Sequence, residues 1–184
     1  KDTLLHIAAE AGNKELVEYL ISTHQIEING KNKSNETILH SSCKSGNLEL
    51  VKYILSLNQL DIKDRDDRDK TVLHFAAESK NLDLLKYLIS LDQIDIKSID
   101  KSKETILFYA CREEKLDMVK YLVSLDQIDI ASRNSDNETL LHTVCEKGNL
   151  DIAEYLVSLN KIEIGAFDKS QNSILHLACK SGNF

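Results

Sequence analysis

The sequence predicts an all-α repeat solenoid: stacked helix-turn-helix units joined by short hairpin-like loops. Three observations predict it. A phrase of the form Thr-x-Leu-His returns at a step of 34 residues, as Thr3-Leu4-Leu5-His6, Thr37-Ile38-Leu39-His40, Thr71-Val72-Leu73-His74, Thr105-Ile106-Leu107-Phe108, Thr139-Leu140-Leu141-His142 and Ser173-Ile174-Leu175-His176. Two segments with helical apolar spacing follow each full phrase, and then a tripeptide alternates with period two. Copies of one unit cannot bury their apolar faces alone, so they stack, and stacking makes a binding surface before it makes a central pocket.

Residues 71–104 illustrate the unit. Thr71 precedes the apolar-periodic stretch Val72-Leu73-His74-Phe75-Ala76-Ala77, where an N-cap hydroxyl would accept from a free backbone N–H. The paired alanines keep the first helix thin, so a neighbouring helix can approach closely. In sister copies Gly12, Gly46, Gly148 and Gly182 follow, as suits a helix end that needs positive φ. A second helix is expected over Leu82 to Leu91, its stripe carried by Leu84, Leu85, Leu88 and Leu91. Ile94-Asp95-Ile96 then alternates like a short extended arm, as do Ile26-Glu27-Ile28, Leu60-Asp61-Ile62, Ile128-Asp129-Ile130 and Ile162-Glu163-Ile164. Polar turn residues, Asp100 to Glu104 in this copy, lead into the next Thr.

Thr-x-Leu-His with small residues behind it, a frequent Gly, a Leu-Val-x-Tyr-Leu helix and an Ile-Asp-Ile arm resemble the ankyrin repeat, in six in-register copies across the whole chain. The copies are 3–36, 37–70, 71–104, 105–138, 139–172 and a partial 173–184. The tetratricopeptide repeat shares the period, but its Trp, Gly-Tyr and Pro signature is missing and it has no period-two arm. Three departures from the family are visible. The period exceeds the usual ~33 residues, the extra residue falling between helix two and the arm. The family's Pro at the first helical turn is Leu4, Ile38, Val72, Ile106, Leu140 or Ile174. The tip Gly is replaced by Asn35, Asp69 and Asn137, which tolerate positive φ, and by Lys103 and Gln171, which tolerate it less.

Bulk composition excludes several classes. A formal charge of −7 argues against nucleic acid, whose backbone calls for clustered Lys and Arg. No apolar run approaches the ~20 residues of a membrane span, and no signal-peptide pattern opens the chain. Cys43, Cys111, Cys145 and Cys179 share one repeat position with Ala9 and Ala77, so all four are expected as small buried groups. Stacked helices lie ~8–10 Å apart, too far for disulfides between neighbours in that column, which need Cα atoms within ~7 Å. Free thiols suit a reducing, intracellular compartment, most simply the cytoplasm.

The residues that look chemical repeat too regularly to form one site. His6, His40, His74, His142 and His176 recur one per layer, so no two share a metal, and no metal or cofactor is expected. In the structural reading each caps the loop into its first helix. His/Cys pairs three residues apart recur in three copies, whereas an active site would be singular; catalysis is not expected. The tyrosine column Tyr19, Tyr53, Tyr87, Tyr121 and Tyr155 is expected to pack between second helices. The fourth copy departs furthest, with Phe108 for His and Glu114 for Gly. Its Tyr109, followed by Arg112 and Glu113, reads either as drift or as an aromatic anchor facing a partner. Lys63 to Lys70 form eight consecutive charges summing to zero, either a solvated turn or a mixed-sign fingertip.

The function expected is a non-catalytic protein-binding or scaffold module. The resemblance implies docking on a concave face made by hairpin tips and first helices. Mapped onto this chain, the contact residues are Lys33, Glu36, Asp67, Arg68, Lys70, Lys101, Glu104, Asp136 and Glu138 at the tips, and Lys44, Glu78, Tyr109, Arg112, Glu113 and Glu146 on the first helices. These positions vary between copies while core positions do not. The chain opens at a motif and stops after one helix of a sixth copy, without polar capping repeats, so a piece of a longer array is expected. The alternative role is the targeting or substrate-recruiting part of a larger enzyme, channel or degradation adaptor.

Overall fold

The computed structural model describes residues 2–23 and 27–182. Eleven helices are found among them: α1 Leu4–Glu10, α2 Lys14–Ser22, α3 Ile38–Ser45, α4 Leu48–Ser56, α5 Val72–Glu78, α6 Leu82–Ser90, α7 Ile106–Arg112, α8 Leu116–Ser124, α9 Leu140–Lys147, α10 Leu150–Ser158 and α11 Ile174–Ser181. The fold is an all-α repeat solenoid of paired helices. Its compact units are Lys1–Asp95 and Ile96–Phe184. In the N-terminal unit α1 packs on α3 and α3 on α5, each first helix also meeting its own second helix. In the C-terminal unit α7 packs on α9 and α9 on α11, with α8 beside α10.

The motif histidine completes a capping box. In the second copy the Thr37 backbone N–H donates to His40 Nδ1 at 3.1 Å, and the Thr37 hydroxyl lies 2.9 Å from the same nitrogen. The pattern recurs at Thr71/His74, Thr139/His142 and Ser173/His176. Because Nδ1 accepts, the proton sits on Nε2, and in the first copy Nε2–H donates to the Glu36 carbonyl at 3.0 Å, tying the first helix to the last residue of its own copy. Phe108 cannot accept, so the Thr105 hydroxyl is buried with no hydrogen-bond partner among the described residues.

Second helices begin on an asparagine that caps in two directions. Asn47 Oδ1 accepts from Leu50 N at 3.0 Å while its amide donates to the Gly12 carbonyl at 2.8 Å; Asn81 repeats this with Leu84 N and the Gly46 carbonyl. Lys115 replaces that Asn in the fourth copy, and α8 has no side-chain cap. Gly46 and Gly148 adopt φ of +75°; Lys80 and Glu114 hold the same left-handed conformation without glycine's freedom. The residue added between helix two and the arm is accommodated by further left-handed turns at Asn58, Asp92, Asp126 and Asn160, mostly residues whose short polar side chains tolerate them.

Two expectations need correction. The arms run through bends and turns and not as extended segments; among the described residues the isolated bridges Ile99–Thr105 and Phe167–Ser173 occur. Ile62, Ile96, Ile130 and Ile162 are nonetheless buried, and they pin the arms to the helices; Ile26 lies outside the described residues. The cysteine column is buried at Cys43 and Cys111, half-buried at Cys145 and exposed at Cys179. Alanine-like burial comes from the helices packed around each copy, and among the described residues α11 packs mainly on α9. The tyrosine column does pack between second helices, at their solvent rim and not as buried core. Tyr19 is exposed, Tyr53 and Tyr87 are half-exposed, and lysines of the preceding second helix lie over the latter two rings, Lys14 at 6.0 Å and Lys52 at 5.7 Å.

Candidate partner-binding surface

Each tip is closed by one side-chain oxygen, from an asparagine amide or an aspartate carboxylate. Asn32 Oδ1 accepts from the backbone N–H groups of Ser34 and Glu36; Asp66 does so from Arg68 and Lys70, Asp100 from Ser102 and Glu104, and Asn134 from Asp136 and Glu138. The same residue's backbone N–H returns to the last carbonyl of the turn, as Asp66 to Lys70 at 3.1 Å. Sequence reasoning missed this Asn/Asp column at 32, 66, 100, 134 and 168, although its 34-residue step was there to be read. Neighbouring tips are stitched through the backbone: Asp67 N to Ser34 O at 2.9 Å in one unit, Ser135 N to Ser102 O at 2.7 Å and Lys169 N to Asp136 O at 2.8 Å in the other.

In the N-terminal unit six of the expected contact residues converge. Glu36, Lys44, Asp67, Arg68, Lys70 and Glu78 line a recess of about 510 Å3, with Phe75 also in its wall. Lys70 Nζ pairs with Glu78 at 2.7 Å and lies 5.4 Å from the centre of the Phe75 ring. Lys44 pairs with Glu10 at 2.7 Å, and that hydrogen bond holds its ammonium above the usual lysine range. The Lys63–Lys70 run is partly spent internally: Lys31 pairs with Asp64 at 2.7 Å, Arg65 donates to the Asp69 carbonyl, and Asp66 is the buried tip closure. Asp67 and Arg68 remain exposed at its apex, and Lys33 is exposed on the neighbouring tip.

The C-terminal unit builds its counterpart as a polar network. The Tyr109 hydroxyl donates to Asp100 Oδ2 at 2.7 Å, and the Arg112 guanidinium lies 5.2 Å from the Tyr109 ring centre. Arg112 also donates to Glu104, which receives Asn134 Nδ2 at 3.3 Å; that amide reaches Glu138 at 2.7 Å. Tyr109 is 3% exposed and Glu104 7%, so neither faces a partner. Tyr109 fills the column of Phe75 and Leu177, where a first helix meets its neighbour, and Asp100 satisfies its hydroxyl. Glu104 turns inward because two donors hold it there. Arg112, Glu113 and Glu138 are partly exposed; Lys101, Asp136 and Glu146 are exposed.

Among the described residues no group of three or more His, Cys, Asp or Glu is placed to hold a metal ion. Burial pushes the His40 imidazole down to about 4, against the opposing pull of Asp66 and Asp64, and pushes the Cys111 thiol up to about 12. Neither group is arranged as a base or nucleophile: His40 Nδ1 is occupied by Thr37, and both side chains are shut from solvent.

A family model described as ankyrin repeats (3 copies) matches residues 1–66, 57–134 and 126–184. No curated protein gives a significant match. Among solved structures, the chain is similar to one in "Bd0816 Predatory Endopeptidase from Bdellovibrio bacteriovorus in complex with immunity protein Bd3460", with a TM-score of 0.77 and 22% identity over 100% of this chain and 94% of that one. At that identity the likeness shows the fold alone.

Proposed function

The chain belongs to the ankyrin-repeat family, and from that premise we propose that it is a non-catalytic, intracellular protein-binding module or scaffold. Its copies act as one array, and partners dock on the face made by hairpin tips and first helices. The observation that carries this is the recess in the N-terminal unit. Positions that vary from copy to copy gather there around an open cavity, while the columns beneath them stay apolar. Its charges are mixed, with Lys44, Arg68 and Lys70 set among Glu36, Asp66, Asp67 and Glu78, which favours specificity over raw affinity. The fold also supports protein binding, since the similar solved chain comes from a complex between two proteins. No helix among the described residues is long and apolar enough to cross a membrane.

The test is affinity capture with the chain and with a Lys33→Glu/Arg68→Glu variant, followed by identification of the retained proteins. Both side chains are exposed, so the variant should keep its melting temperature while losing the captured partner. A partner held equally by both chains places recognition elsewhere.

A further inference from the structure

One column of the first helices is charged in every copy and alternates in sign without exception: Glu10, Lys44, Glu78, Arg112, Glu146 and Lys180. The N-terminal unit therefore carries the series minus, plus, minus, and the C-terminal unit plus, minus, plus. The alternation is matched by a charge reversal in the bonds beneath it. Lys70 on a tip pairs with Glu78 on its helix, whereas the equivalent tip residue Glu104 pairs with Arg112. Glu10, Lys44, Glu146 and Lys180 of this stripe are open to solvent, whereas Glu78 and Arg112 are half-buried. Glu10 and Lys44 keep about half of their side-chain surface exposed although they pair with each other. Glu146 and Lys180 are exposed, with no ion-pair partner among the described residues.

An exposed ion pair such as Glu10–Lys44 contributes only ~0–1 kcal/mol, so a partner's charges can replace it at little cost. Alternating signs cancel at a distance and give no long-range attraction; what they encode is register. Stacked helices lie ~8–10 Å apart, and an extended polyproline-II segment rises ~3.1 Å per residue with three residues per turn, so residues three apart share one face and span one repeat. A segment slipped by one repeat sets like charge against like, which is disfavoured. We propose that this stripe selects an extended peptide segment whose charges alternate in sign at every third residue. The inference rests on the reading that the tip-and-helix face binds protein.

The probe is a displayed library of random peptides long enough to span three repeats, selected on the full chain. Selected peptides are then measured on the native chain and on a Glu10→Lys/Lys44→Glu variant, which keeps the net charge and the internal pair but inverts the first two signs. The expected result is enrichment of peptides with alternating charges at three-residue spacing, bound about tenfold or more weakly by the variant, a loss of ~1.4 kcal/mol or more. Enriched peptides without that period, or with unchanged affinity for the variant, overturn the charge-register proposal and leave the binding reading intact. Failure to enrich any peptide overturns the charge-register proposal, and the binding reading falls with it only if whole-protein capture fails as well.

Discussion

His40 should make this protein acid-sensitive in a defined window. The imidazole is fully buried, packs edge-on against Phe75 at 5.1 Å, and is held neutral, its pKa lowered from 6.5 to about 4 mainly by burial. In the unfolded chain it takes a proton near 6.5; in the folded chain it resists until about 4. The folded state therefore gains from His40 above pH 6.5 and loses that gain as the pH falls from 6.5 towards 4. At ~1.36 kcal/mol per pK unit, the shift from 6.5 to about 4 corresponds to roughly 3 kcal/mol. About 2 kcal/mol of this is lost between about pH 7 and about pH 4.5. The perturbation is His40→Phe, for which the chain supplies its own precedent: Phe108 fills the same column, fully buried. The variant gives up the capping box, a constant cost of ~1 kcal/mol, but not a pH-dependent one. Urea unfolding of both chains at the two pH values measures the difference, since the carboxylates titrate alike in both. If the native chain loses no more stability on acidification than the variant, the imidazole is not held neutral by burial and the reasoning fails.

Two further outcomes follow from the corrected positions. Tyr109→Phe should cost ~1–2 kcal/mol in denaturant unfolding, because Asp100 loses its buried phenol donor. Tyr109→Ala should cost ~3–5 kcal/mol, and an alanine variant as stable as the native chain would put the ring back on the surface. Thiol labelling followed by mass spectrometry should modify Cys179 first, Cys145 more slowly, and Cys43 and Cys111 only on unfolding; equal rates at all four would contradict the burial gradient.

Much of the fold was legible because six copies comment on one another. Thr or Ser before each first helix, glycine after it and the leucine stripe of the second helix are readable as columns, and each is found where expected. The cysteines mislead for the same reason. Their column is uniform in sequence, but burial depends on what covers each copy, and that differs between Cys43 and Cys179. Reading Tyr109 as a surface anchor follows from Arg112 and Glu113 beside it, whereas its own column is buried at Ser41, Phe75, Thr143 and Leu177 and exposed only at Ile7 in the first copy. Glu104 could not be read as inward-facing from its tip position, since its burial depends on Arg112 and Asn134 arriving from elsewhere in the fold. The recess residues converge because the tips are stitched backbone to backbone, a bond pattern that leaves no mark on side-chain identity.

That stitching has a consequence for how such a surface changes over generations. Each tip is closed by the Oδ1 atom of one Asn or Asp and by backbone groups, none of which depends on the side chains at the two positions after it. Lys33-Ser34, Asp67-Arg68, Lys101-Ser102, Ser135-Asp136 and Lys169-Ser170 can therefore mutate freely without touching the turn that displays them. Foldability and specificity are carried by separate letters of the repeat. A lineage can re-aim its recognition one tip at a time, with every intermediate still folded.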